Sequence, residues 1–237
     1  GAKIVLQCQR GLSELLRGVA GADEVVAEGD IVPLADAHVP LLSLPGLLQI
    51  TRENLSRAAS YISVADGAGE WSDIVERGSY NVGIVWQGNP AQPRDFVRSC
   101  PLVQFRPLTE IAGARLISLQ VGAAGREQLA DCPWRERVVD AAERLTDFAQ
   151  TASLIGQLDL VITVDTSVAH LAGALGANVW TLLCHTPDWR WELERGDSLW
   201  YPTMRLFRQP AWGDWPSVLQ SVAAELTRVV DESARRP

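Results

Sequence analysis

Apolar residues in the second half of the chain occur as short uninterrupted runs, separated by segments with helical spacing. A run of consecutive apolar positions predicts a strand that is buried on both faces of a sheet. The predicted strands are 82–86, 115–122, 159–165 and 178–184. Between them, 146–158 and 166–176 place small and apolar residues at helical spacing, with Thr146 or Asp147 as the expected cap of the first helix. This alternation predicts an α/β fold with a parallel sheet.

The first 80 residues predict a smaller unit of the same kind. A strand is expected over 3–8, followed by a helix that carries Leu12, Leu15, Leu16 and Val19 on one face. Two further short strands are predicted over 23–29 and 36–42. The next apolar periodicity is weak, so a linker is placed over roughly 50–80.

After Cys184 the alternation stops for about thirty residues, a length that is usually functional or disordered inside a compact domain. This segment holds five of the nine tryptophans, and so many bulky rings argue against disorder. The rings could stack on a sugar or a base, or form a lid packed on the sheet edge. A last helix is predicted to start near Pro216, with Leu219, Val222, Leu226 and Val229–Val230 at helical spacing.

The composition, 47% hydrophobic and 21% charged over 237 residues, is that of an ordinary globular protein. A net charge of −8 argues against a nucleic-acid or anionic-membrane surface. The four cysteines are widely spaced, which favours reduced thiols in a cytoplasmic protein, although two disulfides are also possible. No apolar run has transmembrane length. Because the chain starts with a strand and without Met, it is expected to be a fragment of a longer protein.

Polar residues crowd the junction between the strand 159–165 and the helix 166–176. Asp165, Thr166, Ser167 and His170 lie where a helix N-terminus would meet the carboxyl end of a strand, which is where open α/β sheets bind ligands. The helix dipole, a hydroxyl and an imidazole could hold a diphosphate there. The alternative is that the residues only cap the helix. These residues alone leave both interpretations open.

A second candidate is the loop after the strand 82–86. Gly88 and Asn89 tolerate left-handed backbone, and Arg94 and Arg98 could reach the strand ends as phosphate clamps. A plain surface turn is the alternative. The three histidines are far apart in sequence, and no residues have metal-ligand spacing.

Taken together and in order, these segments resemble a known family. "VGIVWQGNP", "RSCPL", "LISLQVG", "DFAQTASLIGQLDLVITVDTSVAHLAGALG", "PDWRW" and "WYPTMRLFRQP" resemble the glycosyltransferase-like domain that follows tetratricopeptide repeats in many bacterial proteins. That domain is similar to the ADP-heptose transferases of glycosyltransferase family nine, and more distantly to protein O-GlcNAc transferases. The resemblance covers most of residues 80–216.

The resemblance implies a GT-B architecture, in which two Rossmann-like parallel-sheet units face each other across a cleft. The expected domains are an incomplete N-terminal acceptor-side unit with linker (1–78), a nucleotide-sugar-binding domain (79–214) and a C-terminal helix that crosses back to the first unit (215–237). Upstream tetratricopeptide repeats are possible in the full-length protein.

The resemblance also implies the donor site, residue by residue. Four residues are expected around the donor diphosphate: Asp165, Thr166, Ser167 and His170. Gly88, Asn89 and Arg98 belong to the first loop of the domain, near phosphate. Gln120 and Asp147 are expected nearer the nucleoside.

The implied activity is transfer of a sugar from a nucleotide-diphosphate donor to an acceptor hydroxyl, which could be on a protein. Inversion is expected, with no metal and no cofactor besides the donor substrate. In the family the general base is a carboxylate from a loop that would precede residue 1, so no catalytic residue is assigned; His38 is a possible substitute. The alternatives are a non-catalytic nucleotide- or sugar-binding module and, less favoured by the motifs, a sugar epimerase.

Overall fold

The first unit is a pair of parallel strands with short helical turns. The computed structural model describes residues 1–55, 60–64 and 70–235 of the chain. Strand β1 (Val5–Cys8) pairs in parallel with β2 (Glu24–Ala27). Between them lie a 3-10 turn, Arg10–Leu12, and helix α1 (Ser13–Leu16); a second turn, Leu41–Ser43, leads into α2 (Leu44–Leu47). The predicted strands 3–8 and 23–29 are therefore confirmed.

The strand predicted over 36–42 is wrong. Residues 31–40 have no regular structure, and nearly all of them are exposed. Pro40 has no N–H to donate to a neighbouring strand, and an apolar run without a partner strand has no ladder to join. His38 is consequently an exposed residue outside any strand.

Six parallel strands form the main sheet, in the order β5-β4-β3-β6-β7-β8. They are β3 (Tyr80–Val85), β4 (Ala114–Ser118), β5 (Val138–Asp140), β6 (Leu160–Val164), β7 (Val179–Leu183) and β8 (Met204–Arg208). Every residue of β6 and β7 is buried, as their consecutive apolar residues require. All four strands predicted for this unit are confirmed.

Strand β8 lies in the tryptophan-rich segment, for which no strand was predicted from the sequence. Its sequence alternates, with Met204 and Leu206 buried and Arg205 exposed between them. This is the pattern of an edge strand with one solvated face, so a search for uninterrupted apolar runs misses it.

Helices cover both faces of the main sheet. They are α3 (Asp95–Arg98), α4 (Ala123–Ala130), α5 (Phe148–Ile155), α6 (Ser167–Ala174) and α7 (Trp215–Ala234), with 3-10 segments at Leu102–Glu110, Arg135–Arg137, Ala142–Arg144 and Trp189–Trp191. One core cluster contains residues of α1, α5 and α6, and the other contains residues of α7 and Leu102–Glu110.

The first unit packs on the face of the main sheet that α5 covers. Leu15 of α1 belongs to the same core cluster as α5, and the ring of Phe148 lies against Gly11. Trp71 is also buried in this cluster, and its indole N–H donates to Ser153 Oγ at 2.9 Å. The predicted linker 50–80 therefore contains a core segment around Trp71, while 56–59 and 65–69 lie outside the described residues.

Helix α7 is the amphipathic helix that the sequence predicts. Leu219, Val222, Leu226 and Val230 are buried, and Asp214 caps the helix by accepting from Ser217 N at 3.1 Å. The core cluster that α7 completes contains no described residue of 1–78, and the predicted return of this helix to the first unit stays a prediction. The domain boundaries themselves stay a prediction.

No helix in the described parts of the chain combines the length and the apolarity needed to cross a bilayer. The four cysteines, Cys8, Cys100, Cys132 and Cys184, are all free, so the two-disulfide alternative is not realised.

The packing of α7 gives a test of the core. Replacing Leu226, which is fully buried, with Ala should lower the free energy of unfolding by about 2–5 kcal/mol, since it removes buried methyl groups and leaves a cavity. Denaturant unfolding measures this loss. The same replacement at Leu42, which is 96% exposed, is the control and should change stability by less than about 0.5 kcal/mol. Equal effects at the two positions would contradict the packing described.

Candidate functional site

The carboxyl edge of the main sheet collects the polar loops of this unit. Because all its strands are parallel, their carboxyl ends lie along one edge. The segments after β3, β4, β6 and β7 open there, and they contain most of the site residues predicted from the sequence. Ligands of open α/β sheets bind at this edge.

The N-terminus of α6 is not capped by a side chain. Thr166 occupies the N-cap position, but its side chain accepts no hydrogen bond from the helix. Its Oγ1 lies 3.0 Å from Thr163 Oγ1 instead. The interpretation that this polar run only caps the helix is thus not supported, and the positive end of the helix dipole is left available for an anion.

A cavity of about 350 Å³ adjoins this helix end. Its charged lining residues are Arg94, Arg98, Asp165 and Asp188. Asp165 is only 4% exposed, and it immediately follows β6. Arg94 is exposed and donates from Nη2 to the carbonyl of Thr186 at 3.1 Å, which ties the loop after β3 to the loop after β7. Cations and carboxylates therefore share one small space.

His170 is held from two sides in the first turns of α6. Its Nδ1 lies 2.9 Å from the Tyr201 hydroxyl, and its ring stacks on Trp191 with centroids 5.2 Å apart. Burial lowers the pKa of His170, and Arg190 lowers it further, against the opposing effect of Asp165 and Asp188. The imidazole is therefore neutral at pH 7. Ser167, three residues earlier on the same helix, is exposed.

The loop after β3 depends on the absence of a side chain at Gly88. A Cβ there would lie 2.3 Å from Asp95 Oδ1 and 3.3 Å from Arg98 Nη2. Asp95 is 5% exposed, and the guanidinium of Arg98 is 3.7 Å from its carboxylate. Sequence reasoning missed Asp95; the only signal was its spacing of three residues from Arg98 on a short helix.

Gly88 and Asn89 do not adopt the left-handed backbone that both residues tolerate. Neither residue has a positive φ. Gly88 is required because a side chain at this position would overlap Asp95. Asn89 is an exposed turn residue whose Oδ1 accepts from Ala91 N at 3.0 Å. The role of both residues near phosphate stays a prediction.

Gln120 and Asp147 have structural tasks. The side-chain oxygen Oε1 of Gln120 accepts from the backbone N–H groups of Trp86 and Gln87 at 3.1 and 3.0 Å. Its side-chain Nε2 donates to the backbone carbonyls of Gln87 and Val121, each at 3.0 Å. This clamp joins the ends of β3 and β4. Asp147 caps α5 by accepting from Gln150 N at 2.8 Å, as predicted. That either residue lies near a nucleoside stays a prediction.

The tryptophan-rich segment divides into core and surface residues. Trp191 and Trp215 are buried, so the packed interpretation holds for them. Trp189 and Trp212 are 71% and 63% exposed and remain available for stacking on a ligand. In the described parts of the chain, no three His, Cys, Asp or Glu side chains are placed to share a metal ion.

Part of the chain matches a family model. Residues 128–201 match glycosyltransferase family 9 (heptosyltransferase). The matched segment runs from α4 to Tyr201 and includes Asp165, His170 and Trp191. Among curated proteins, Protein FlbA of Caulobacter vibrioides is 28% identical over 154 residues, which is 61% of this chain and 24% of FlbA. The chain thus spans about a quarter of the length of that relative.

The fold of the chain resembles that of several solved structures. The ADP-heptose LPS heptosyltransferase II of E. coli is 17% identical with a TM-score of 0.55, over 76% of this chain and 57% of that one. A glycosyl transferase family 9 protein from Veillonella parvula DSM 2008 is 10% identical with a TM-score of 0.55, over 90% of this chain and 64% of that one. These likenesses show the fold, an α/β fold with parallel sheets like that of GT-B glycosyltransferases.

The contact between Gly88 and Asp95 can be tested. Gly88→Ala should lower the free energy of unfolding by about 1–3 kcal/mol, because the new methyl group overlaps a buried carboxylate. Gly196→Ala is a matched control, since a Cβ at that position meets no atom within 4 Å. Thermal or denaturant unfolding compares the two. A Gly88→Ala protein as stable as the control would show that the loop can shift away from Asp95 at no cost.

Proposed function

We propose that this chain binds a nucleotide-diphosphate sugar at the carboxyl edge of the main sheet and acts in transfer of the sugar to an acceptor hydroxyl. The observation that carries the proposal is the uncapped N-terminus of α6 next to a cavity lined by Arg94 and Arg98. The family match supports it, because residues 128–201 contain this helix end.

The charges of the cavity suggest which part of the donor each of its side chains contacts. The helix end and the two arginines favour the diphosphate and the negative charge that grows on it as the sugar leaves. Asp165 and Asp188 repel phosphate, so in this proposal their carboxylates accept hydrogen bonds from sugar or ribose hydroxyls. Transfer with inversion requires a base for the acceptor hydroxyl, and no residue of this chain is assigned that role.

The similar proteins direct the choice of donor. One of the similar solved structures is that of an ADP-heptose LPS heptosyltransferase, so adenosine diphosphate and ADP-sugars are the first ligands to test. A protein acceptor selected by neighbouring repeats is the further expectation of the sequence resemblance.

A second candidate function is a binding module that has no turnover. It is the alternative that the sequence leaves open, and no residue of this chain is assigned as the base that transfer requires. Both functions need the same donor site, so they differ in chemistry and not in nucleotide binding.

Binding can be measured by calorimetry with ADP, GDP and UDP. Arg94→Ala should weaken binding of the preferred nucleotide about tenfold or more, because a charge-assisted contact to phosphate contributes about 1.5–3 kcal/mol. Its melting temperature should barely change, since Arg94 is exposed. Arg98 is a less clean choice because the buried Asp95 depends on it. Arg106→Ala, which removes an exposed arginine paired with Glu110, is the control. Undiminished binding by Arg94→Ala, or no binding by the wild type, would contradict the proposed site.

Turnover separates the enzyme from the module. In the full-length protein, His170→Ala should abolish release of nucleotide from an ADP-sugar, because in this proposal the imidazole in the first turns of α6 contacts the diphosphate. His38→Ala removes an exposed histidine outside any strand and serves as the control. Nucleotide binding without turnover in the wild type would favour the module. Equal activity of the two variants would remove His170 from the site.

A further inference from the structure

We propose that Tyr201 is a positioning residue that fixes His170 as the tautomer with its proton on Nε2, so that the ring donates a hydrogen bond to a bound diphosphate. The identity of the ligand rests on the proposed function. The tautomer does not, because it is a property of the free protein.

The contact between the two side chains is well built. The Tyr201 hydroxyl lies 2.9 Å from Nδ1 of His170, and Trp191 stacks on the imidazole at an interplanar angle of 17°. The ring therefore has a fixed plane and one occupied nitrogen. Its other nitrogen, Nε2, has no hydrogen-bond partner among the described residues and is not fully buried, so in this proposal it is the nitrogen that donates to the ligand.

Gly173 makes this contact possible. A Cβ at Gly173 would lie 2.4 Å from Cγ and 2.5 Å from Cδ1 of Tyr201. The tyrosine ring therefore packs directly on the backbone of α6, less than one turn after His170. Tyr201 is 9% exposed, and Ser198 Oγ accepts from its backbone N–H at 3.3 Å. The hydroxyl is thus aimed at the imidazole by the packing of its own ring.

The direction of the hydrogen bond follows from the protonation of both groups. Burial lowers the pKa of His170, so the ring is neutral and carries one N–H. Burial raises the pKa of Tyr201 well above its usual range, and its contact with Tyr61 adds to the shift, so the phenol keeps its proton. A neutral imidazole nitrogen is a stronger acceptor than a phenol oxygen, so the Tyr201 hydroxyl donates to Nδ1. The remaining ring proton is left on Nε2.

The charges around the imidazole favour the same arrangement. Asp165 and Asp188 favour a proton on the ring, and Arg190 opposes it. When Tyr201 donates to Nδ1, only Nε2 can carry that proton. The opposite tautomer would present a lone pair at Nε2, which repels a phosphate oxygen. Without the Tyr201 hydroxyl, nothing at Nδ1 selects between the two forms.

The tautomer can be measured directly by nitrogen-15 NMR of the free protein at about pH 7.5. The chain has three histidines, so His38→Asn and His185→Asn variants assign the His170 signals. The wild type should show the proton on Nε2, and Tyr201→Phe should show a mixture of both tautomers. Phe retains the ring that packs on Gly173, so the fold should be kept. Tyr80→Phe, which alters a tyrosine at the start of β3, is the matched control and should leave His170 unchanged.

Nucleotide binding provides the second measurement. Tyr201→Phe should weaken ADP binding about fivefold, as expected for one misdirected hydrogen bond, with little change in melting temperature. A proton on Nδ1 in the wild type, or an unchanged tautomer in Tyr201→Phe, would overturn the role of Tyr201. If the wild type bound no nucleotide, the proposed function would fail, and the NMR result alone would still decide whether Tyr201 sets the tautomer.

Discussion

Burial of the main sheet on both faces is the constraint on which the rest of the structure depends. The central strands β3, β6 and β7 are buried along almost their whole length between two helix layers. Polar side chains within those strands are cut off from water: Thr163 donates to the Val164 carbonyl at 2.8 Å, whereas the buried hydroxyl of Thr181 has no partner among the described residues. Ionisable groups that a ligand can reach are therefore confined to the strand ends. This is why Asp165 and Arg98 line one cavity although they follow different strands.

Close packing at two glycines also determines the geometry of the candidate site. Gly88 leaves room for the buried carboxylate of Asp95, and Gly173 leaves room for the ring of Tyr201. Each close approach orients a second side chain, Arg98 in the first case and His170 in the second. The geometry of the proposed anion site thus depends on van der Waals contacts beside it, so stability and binding are coupled at these two positions.

The sequence predicted the features that depend on local pattern. Consecutive apolar runs predicted the inner strands, and Asp147 was one of the two residues predicted as the cap of α5. Strand β8 was missed because an edge strand has one solvated face. Residues 36–42 were predicted as a strand from their apolar residues, but they form none because no strand pairs with them in the described structure. The contact of Tyr201 with His170 joins residues 31 positions apart, and it is visible only when the fold places β8 next to β7. Asp95 gave no apolar or capping signal, because its burial comes from tertiary packing.

The balance of charge in the cavity bears on the kind of ligand that the proposed site would select. Arg94 and Arg98 attract an anion, while Asp165 and Asp188 line the same space and offset much of that attraction. The overall charge of −8 adds no long-range attraction. An isolated phosphate therefore gains little in this site, since the carboxylates that it meets must remain unpaired. A ligand that carries hydroxyl donors beside its diphosphate satisfies the carboxylates as well as the arginines, and a nucleotide sugar has both groups. On the proposed function, the acidic residues thus contribute selectivity against simple anions, and the helix end and arginines contribute most of the affinity.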